Sequence, residues 1–263
     1  MTYSLPQRAL AELLGTALLV FVGTGSIVAT LVLAGDSSPA LTGADLLGIS
    51  FAFGLVIAAL VYAIGRISGC HINPAVTVAL AVGRRFPWRE VPAFVGAQLI
   101  GGVLGSLGVW AVYRHTGIEL GMGGTSFDSS TVTWASAMAS EAIGVFVLVY
   151  AIAGIVDKDA PGSLSGIVIG GVVVAIIMVV APVAGAALNP ARTFGPAIVS
   201  ELGGGTTDWN QFLPVYVLPS VVGGGLAIVV YDLLNTPRSR VRSVSRGTTI
   251  GDEAIERDAV AAP

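Results

Sequence analysis

The sequence predicts an all-α membrane protein of six transmembrane helices plus two re-entrant half-helices, arranged as an inverted repeat. Three observations carry that prediction. Of 263 residues, 54% are hydrophobic and only 11% are charged, against about 25% charged in an ordinary soluble domain. The tripeptide Asn-Pro-Ala occurs twice, at Asn73-Pro74-Ala75 and Asn189-Pro190-Ala191, each time opening an apolar segment too short to cross a bilayer. Finally, the Lys and Arg residues divide almost completely between the two sides of the layout that results.

Full spans require about 18 or more residues with few charges. Six stretches qualify, at about 9–34, 46–64, 92–113, 132–155, 164–181 and 212–234. The first is too long for the apolar region of a signal peptide and is read as a retained span. Between spans two and three lies 69–83, and between five and six lies 185–200. In each, Asn suits the helix N-cap, where its side-chain oxygen accepts a free N–H of the first turn. Pro suits the first helical position, where no N–H is needed. A helix of roughly nine residues covers only about half of the hydrocarbon thickness, so both segments enter and leave on one side. Irregular backbone at that depth is tolerated only where it is buried in protein or lines a wet cavity, which puts the two Asn-Pro-Ala loops beside a water-filled path.

The order span, span, half-helix, span occurs twice, over about 9–115 and 132–235. Ala11-Glu12-Leu13-Leu14-Gly15 in span one is matched by Ser140-Glu141-Ala142-Ile143-Gly144 in span four. With three spans per half, the second half enters from the opposite side, and paired interrupted segments in such repeats point to the solute site. Arg8, Arg66, Arg84, Arg85, Arg89, Lys158, Arg238, Arg240, Arg242, Arg246 and Arg257 fall on one side, and Arg114 alone in an opposite loop. By the positive-inside rule both termini are cytoplasmic. Residues 1–8 are then a short cytoplasmic N-terminus, 9–235 a single channel domain, and 236–263 a solvated, disordered cytoplasmic tail. Ser239, Ser243 and Ser245 lie among its arginines, where a plain positive flank is favoured over phosphorylation. The location is a cell membrane, multi-pass.

The polar residues at membrane depth narrow the chemistry. Arg192 follows the second Asn-Pro-Ala, and an ionisable residue there faces a cavity or a partner by default. It offers fixed donors, repels cations, and stays protonated throughout the working pH range. Glu12 and Glu141 sit at matching repeat positions. Ion coupling is one reading, but one carboxylate per loop favours acceptors for N–H groups that a re-entrant loop leaves unpaired. His71 is read as a satisfied wall residue rather than a pH gate, and His115 as an exposed loop residue. Cys70, the single cysteine, excludes an intrachain disulfide; it is equally a small packing residue or a mercurial-reactive site. Gly101-x-x-x-Gly105 and Gly166-x-x-x-Gly170 allow close helix approach. There is no nucleophile–base pair, metal-ligand cluster or phosphate loop at usable spacing, so an enzyme is not expected, nor a cofactor. The small net charge of −3 gives no stripe for nucleic acid.

At these residues the chain resembles the major intrinsic protein family, the aquaporins and glycerol facilitators. The likeness covers about residues 8–235, through Ser68-Gly69-x-His71-x-Asn73-Pro74-Ala75-Val76-Thr77 and Asn189-Pro190-Ala191-Arg192-Thr193-Phe194-Gly195-Pro196. It implies an aquaporin-like fold and a homotetramer in the lipid bilayer with one pore per subunit. It further implies that Asn73 and Asn189 donate to the solute at mid-pore, and that carbonyls of Gly69, Cys70, His71, Gly185, Ala186 and Ala187 form a polar ladder. The family's four-residue selectivity filter maps onto Phe53, Ile177, Ala186 and Arg192. Water channels of the family usually carry Phe, His, a small residue and Arg, so Ile177 stands where His is usual. Glycerol facilitators usually carry Trp, Gly, Phe and Arg, with Asp after the Arg; here Phe53, Ala186 and Thr193 depart from that pattern. The resemblance therefore implies single-file water conduction that excludes protons and ions, with hydrogen peroxide and ammonia left open. A glycerol facilitator is the alternative within the family. A secondary transporter with broken helices, or a closed structural protein, is the alternative outside it.

Overall fold

A computed structural model describes residues 3–35, 41–157 and 160–235. Among these the chain is helical throughout, with six helices long and apolar enough to cross a membrane. They are α1 (Leu5–Ala34), α2 (Gly43–Ser68), α4 (Val91–Glu119), α5 (Trp134–Ile155), α6 (Ser165–Ala184) and α8 (Trp209–Asn235). Two short helices, α3 (Pro74–Val82) and α7 (Pro190–Leu202), fill the two predicted re-entrant segments. The tail from 236 onward, with its serines and arginines, and Lys158 lie outside the described residues.

The spans run further than their apolar cores, because local capping extends them. α1 begins at Leu5, where the Ser4 N–H donates to Gln7 Oε1 at 2.9 Å. α2 begins behind Thr42, which accepts from the Asp45 N–H at 3.3 Å and donates its own N–H to the Asp45 carboxylate at 2.9 Å, a reciprocal box. α4 bends at Arg114, whose φ of 54° is non-helical, and His115 sits exposed in the last turn beyond it rather than in a loop. In α8, Phe212–Val217 forms a wider π-turn, and Pro214 within it has no N–H for the regular ladder.

The two halves repeat one plan. α1 packs on α4, α5 packs on α8, and α2 meets α6 across the halves. Each short helix packs against the last span of the other half, α3 on α8 and α7 on α4. Glycines set these close approaches. A Cβ on Gly54 would meet the Gly170 carbonyl, and one on Gly170 would meet the Gly54 carbonyl, so α2 and α6 touch backbone to backbone. Gly101 and Gly105 do the same for α4 on α1, and Gly166 gives room to Tyr62 of α2. At about 1.5 Å per residue, α3 is about 14 Å long and α7 about 20 Å, so end to end they cover a hydrocarbon core of about 30 Å.

Polarity is inverted relative to a soluble fold. Leu10, Leu14, Leu55, Ile143, Val179 and Leu233 point outward, whereas Glu12, Gln98, Glu141 and Arg192 are buried. An apolar area of that extent is covered by lipid, and buried polar groups need internal partners. Glu12, Gln98 and Glu141 find theirs at the two loops.

Candidate functional site: a path through the helix bundle

The loops are held in strained backbone. α2 ends at Gly69 (φ 94°) and α6 at Gly185 (φ 81°), a left-handed geometry that glycine adopts freely. The residues after them are not glycine, yet Cys70 (φ 51°), Ile72 (φ 42°), Ala186 (φ 49°) and Leu188 (φ 55°) also have positive φ. Such conformations cost on the order of 1–3 kcal/mol each and persist only where surroundings enforce them. The enforcement comes from two carboxylates, each wholly buried. Glu12 Oε1 accepts from Ser68 Oγ (2.6 Å) and the His71 N–H (2.9 Å), and Oε2 from the Ile72 N–H (2.5 Å) and Gln98 Nε2 (2.8 Å). Glu141 accepts the Ala187 and Leu188 N–H groups, each at 2.8 Å. Bonds to a charged acceptor contribute about 1.5–3 kcal/mol each, enough to offset the backbone strain.

The two Asn-Pro-Ala tips meet each other. Asn73 Oδ1 accepts the Ala75 N–H (2.9 Å) and Asn189 Oδ1 accepts the Ala191 N–H (3.0 Å), with Pro74 and Pro190 in the first turn. Because a backbone N–H can only donate, these contacts fix which end of each amide is oxygen. Asn73 Nδ2 then donates to the Leu188 carbonyl and Asn189 Nδ2 to the Ile72 carbonyl, each at 2.8 Å. One amide hydrogen of each Asn thus ties the loops together, and one remains. Among the described hydrogen bonds, none ends on the carbonyls of Gly69, Cys70, His71, Gly185, Ala186 or Ala187.

Two cavities run through the bundle along α2. The larger, about 660 Å³, extends from Arg66 and Arg85 past Gly69, Cys70, His71 and Ala187 to both Asn73 and Asn189. The smaller, about 460 Å³, begins at Thr42 and Gly43 and includes Gly185. They share four lining residues: Phe53, Ile177, Ala186 and Arg192. From the helical rise, that junction lies about 20 Å from Arg66 and about 15 Å from Gly43. The sequence-predicted filter positions are therefore the residues at which the two cavities join.

At the junction the Arg192 guanidinium carbon lies 5.3 Å from the Phe53 ring centroid. Arg192 is 2% exposed, and its Nε and Nη1 donors have no protein acceptor. The Phe53 ring is seated by Gly23 of α1, where a Cβ would overlap it. Ile177 and Ala186 complete the ring with apolar surface.

His71 packs edge-on to Phe86 (centroids 4.8 Å) and against Phe94 (5.2 Å), with Nδ1 3.2 Å from Thr77 Oγ1. Behind those rings Arg8 lies over both and pairs with Glu90 at 2.6 Å. Cys70 is buried in the wall of the larger cavity. Gln98 was not among the sequence candidates, though it joins Glu12 to Thr77, both within 2.9 Å of its Nε2. Its signal was a single amide in an otherwise apolar span.

The family model for the major intrinsic protein matches residues 1–231. The chain belongs to this family of membrane channels. Aquaporin AqpM of Methanothermobacter marburgensis is 42% identical over 248 residues, covering 89% of this chain and 99% of its own. Putative aquaporin NIP4-1 of Arabidopsis thaliana is 35% identical, covering 93% of this chain and 80% of its own. Among solved structures, the aquaglyceroporin from Plasmodium falciparum superposes with a TM-score of 0.76 at 26% identity, covering 87% of this chain and 96% of that one.

Proposed function

We propose that the protein is a passive water channel, conducting water in single file while excluding protons and ions, with hydrogen peroxide and ammonia left open as further small neutral solutes. The observation that carries this reading is the junction of two cavities at Phe53, Ile177, Ala186 and Arg192. Relatives named aquaporins support the same reading.

In this mechanism a water leaving bulk exchanges its hydrogen bonds for the free carbonyls of Gly69, Cys70, His71, Gly185, Ala186 and Ala187. Arg192 Nε and Nη1 donate at the filter. At mid-path the remaining amide hydrogens of Asn73 and Asn189 donate to one water, whose own hydrogens must then point away on both sides. That orientation breaks a proton wire. The N-termini of α3 and α7 place two positive dipole ends at the same level, where little solvent screens them. A cation loses its hydration and meets Arg192, and neutral carbonyls return too little to offset this. Glu12 and Glu141 hold the loops in place and carry no ion.

Glycerol conduction is the second reading, favoured by apolar Ile177 at the filter and by the superposition on an aquaglyceroporin. Water and glycerol flux measured side by side in proteoliposomes, for wild type and Ile177→His, separates the two. A polar His should raise the water-to-glycerol ratio; an unchanged ratio would remove Ile177 from the filter.

We also propose one channel domain over about 9–235, both termini on the cytoplasmic side, and a homotetramer with one pore per subunit. Arg8, Arg66, Arg84, Arg85 and Arg89 support the orientation.

A further inference from the structure

We propose that Thr125, in the loop joining the two halves of the chain, is a positioning residue that sets the aperture of the filter from outside the path. This rests on Phe53, Ile177, Ala186 and Arg192 acting as the filter; Thr125 itself lines neither of the two joined cavities.

Thr125 touches the chain neighbours of two filter residues. Its Oγ1 lies 3.0 Å from Thr193 Oγ1, in the first turn of α7 directly after Arg192. A Cβ at Gly185 would meet Thr125 Cγ2 at 3.1 Å and its Cβ at 3.2 Å, so the same side chain packs on the glycine before Ala186. The Tyr216 hydroxyl of α8 also lies against Thr125 and meets no other protein group. One threonine thus joins the turn that presents Arg192, the turn that presents Ala186, and the last span.

A latch holds only if its own backbone is fixed, and this loop is pinned on both sides of Thr125. Met122, three residues before, is fully buried beside Val28, Val109, Ile118 and Val199 with a φ of 55°. A left-handed conformation at a residue with a side chain persists only where its surroundings enforce it. Two residues after Thr125, Phe127 is held through both backbone groups. Its N–H donates to Gln211 Oε1 (3.1 Å), and its carbonyl accepts from Gln211 Nε2 (3.0 Å).

Arg192 depends on such support, because its Nε and Nη1 have no protein acceptor of their own. The room around the turn is one-sided. Toward the pore, Phe53 stands 5.3 Å from the guanidinium carbon with its ring seated against Gly23. On the side of Thr193 lies a separate cavity of about 180 Å³, lined by Thr125, Thr193 and Ala197 among others. Without the Thr125–Thr193 bond the turn relaxes into that space, away from Phe53. The filter then widens, which favours the bulkier solute.

The test is water and glycerol flux in proteoliposomes for wild type, Thr125→Val, Thr125→Ser, Thr193→Val and the double Val variant, with high-resolution structures of wild type and Thr125→Val. Val keeps the shape of Thr and removes the hydroxyl; Ser keeps the hydroxyl. Thr125→Val and Thr193→Val should each raise the glycerol-to-water ratio by about twofold or more, the scale of a coupled remote contact. Thr125→Ser should stay at the wild-type ratio, and the double variant should not exceed the larger single effect, since both changes remove one bond. An unchanged ratio in Thr125→Val, an equal rise in Thr125→Ser, or independent effects in the double variant overturns the latch. A merely structural role would lower folded yield and leave the ratio alone. Should Thr125→Val fail to fold, Thr193→Val opens the same bond from the other side. Wild type without water flux overturns the channel reading, whereas an Arg192 that has not moved from Phe53 in Thr125→Val overturns the latch, so the two failures are distinguishable.

Discussion

Arg192 and Phe53 form the polar and the aromatic wall where the two cavities join, and the Phe53 ring is seated by a neighbour without a side chain. Gly23 has no side chain because the Phe53 ring occupies the space where a Cβ would stand. In Gly23→Ala that overlap has to be relieved, and the ring moves toward the guanidinium 5.3 Å away. The filter narrows, and glycerol flux should fall more than water flux in the same vesicles. Equal losses of both would mean that the ring is not part of the size limit. Some of this detail was legible at residue level: counting from the two Asn-Pro-Ala motifs reached Phe53, Ile177, Ala186 and Arg192. Gly23 was not, since one of 35 glycines carries no sign of the ring it must clear.

At the scale of elements, the two loops show how a buried carboxylate maintains an unfavourable backbone. Glu12 receives four donors and Glu141 receives two. Gln at either position keeps one acceptor oxygen and sets an NH₂ against donors it cannot accept. An unpaired buried donor costs about 1–3 kcal/mol; each substitution strands one backbone N–H, since beside Glu12 the Ser68 hydroxyl or the Gln98 amide can turn to accept from the new NH₂. Folded yield and melting temperature should therefore drop for both, while the surviving channels keep their selectivity. Normal yield with altered selectivity would instead assign the carboxylates to conduction. The matched Glu residues and the capped half-helices could be read in the sequence, because both rest on local rules of capping and repeat spacing. The crossing of Asn73 to the Leu188 carbonyl, and of Asn189 to the Ile72 carbonyl, could not. It joins residues more than a hundred positions apart through backbone atoms, which carry no residue-type signal. The longer helix ends were missed for a related reason. Caps such as Thr42 with Asp45 are polar, and an apolar count stops short of them.

For the whole molecule, the inverted repeat brings two half-helices to one level and leaves a cavity on either side of a four-residue junction. Six spans place residues 3 and 235 on the same side, and the arginines near Arg8, Arg66 and Arg85 make that side cytoplasmic in our reading. A tag at either terminus should be protected from protease in sealed, right-side-out vesicles and cleaved after permeabilisation; cleavage of one tag in the sealed state would refute the layout. In our reading the joined cavities pass water and stop protons. Stopped-flow light scattering of proteoliposomes, with a pH-sensitive dye inside, tests it most directly. Fast, non-saturating water flux without proton conductance is expected. Water flux no faster than that of empty liposomes, from correctly folded protein, would contradict it.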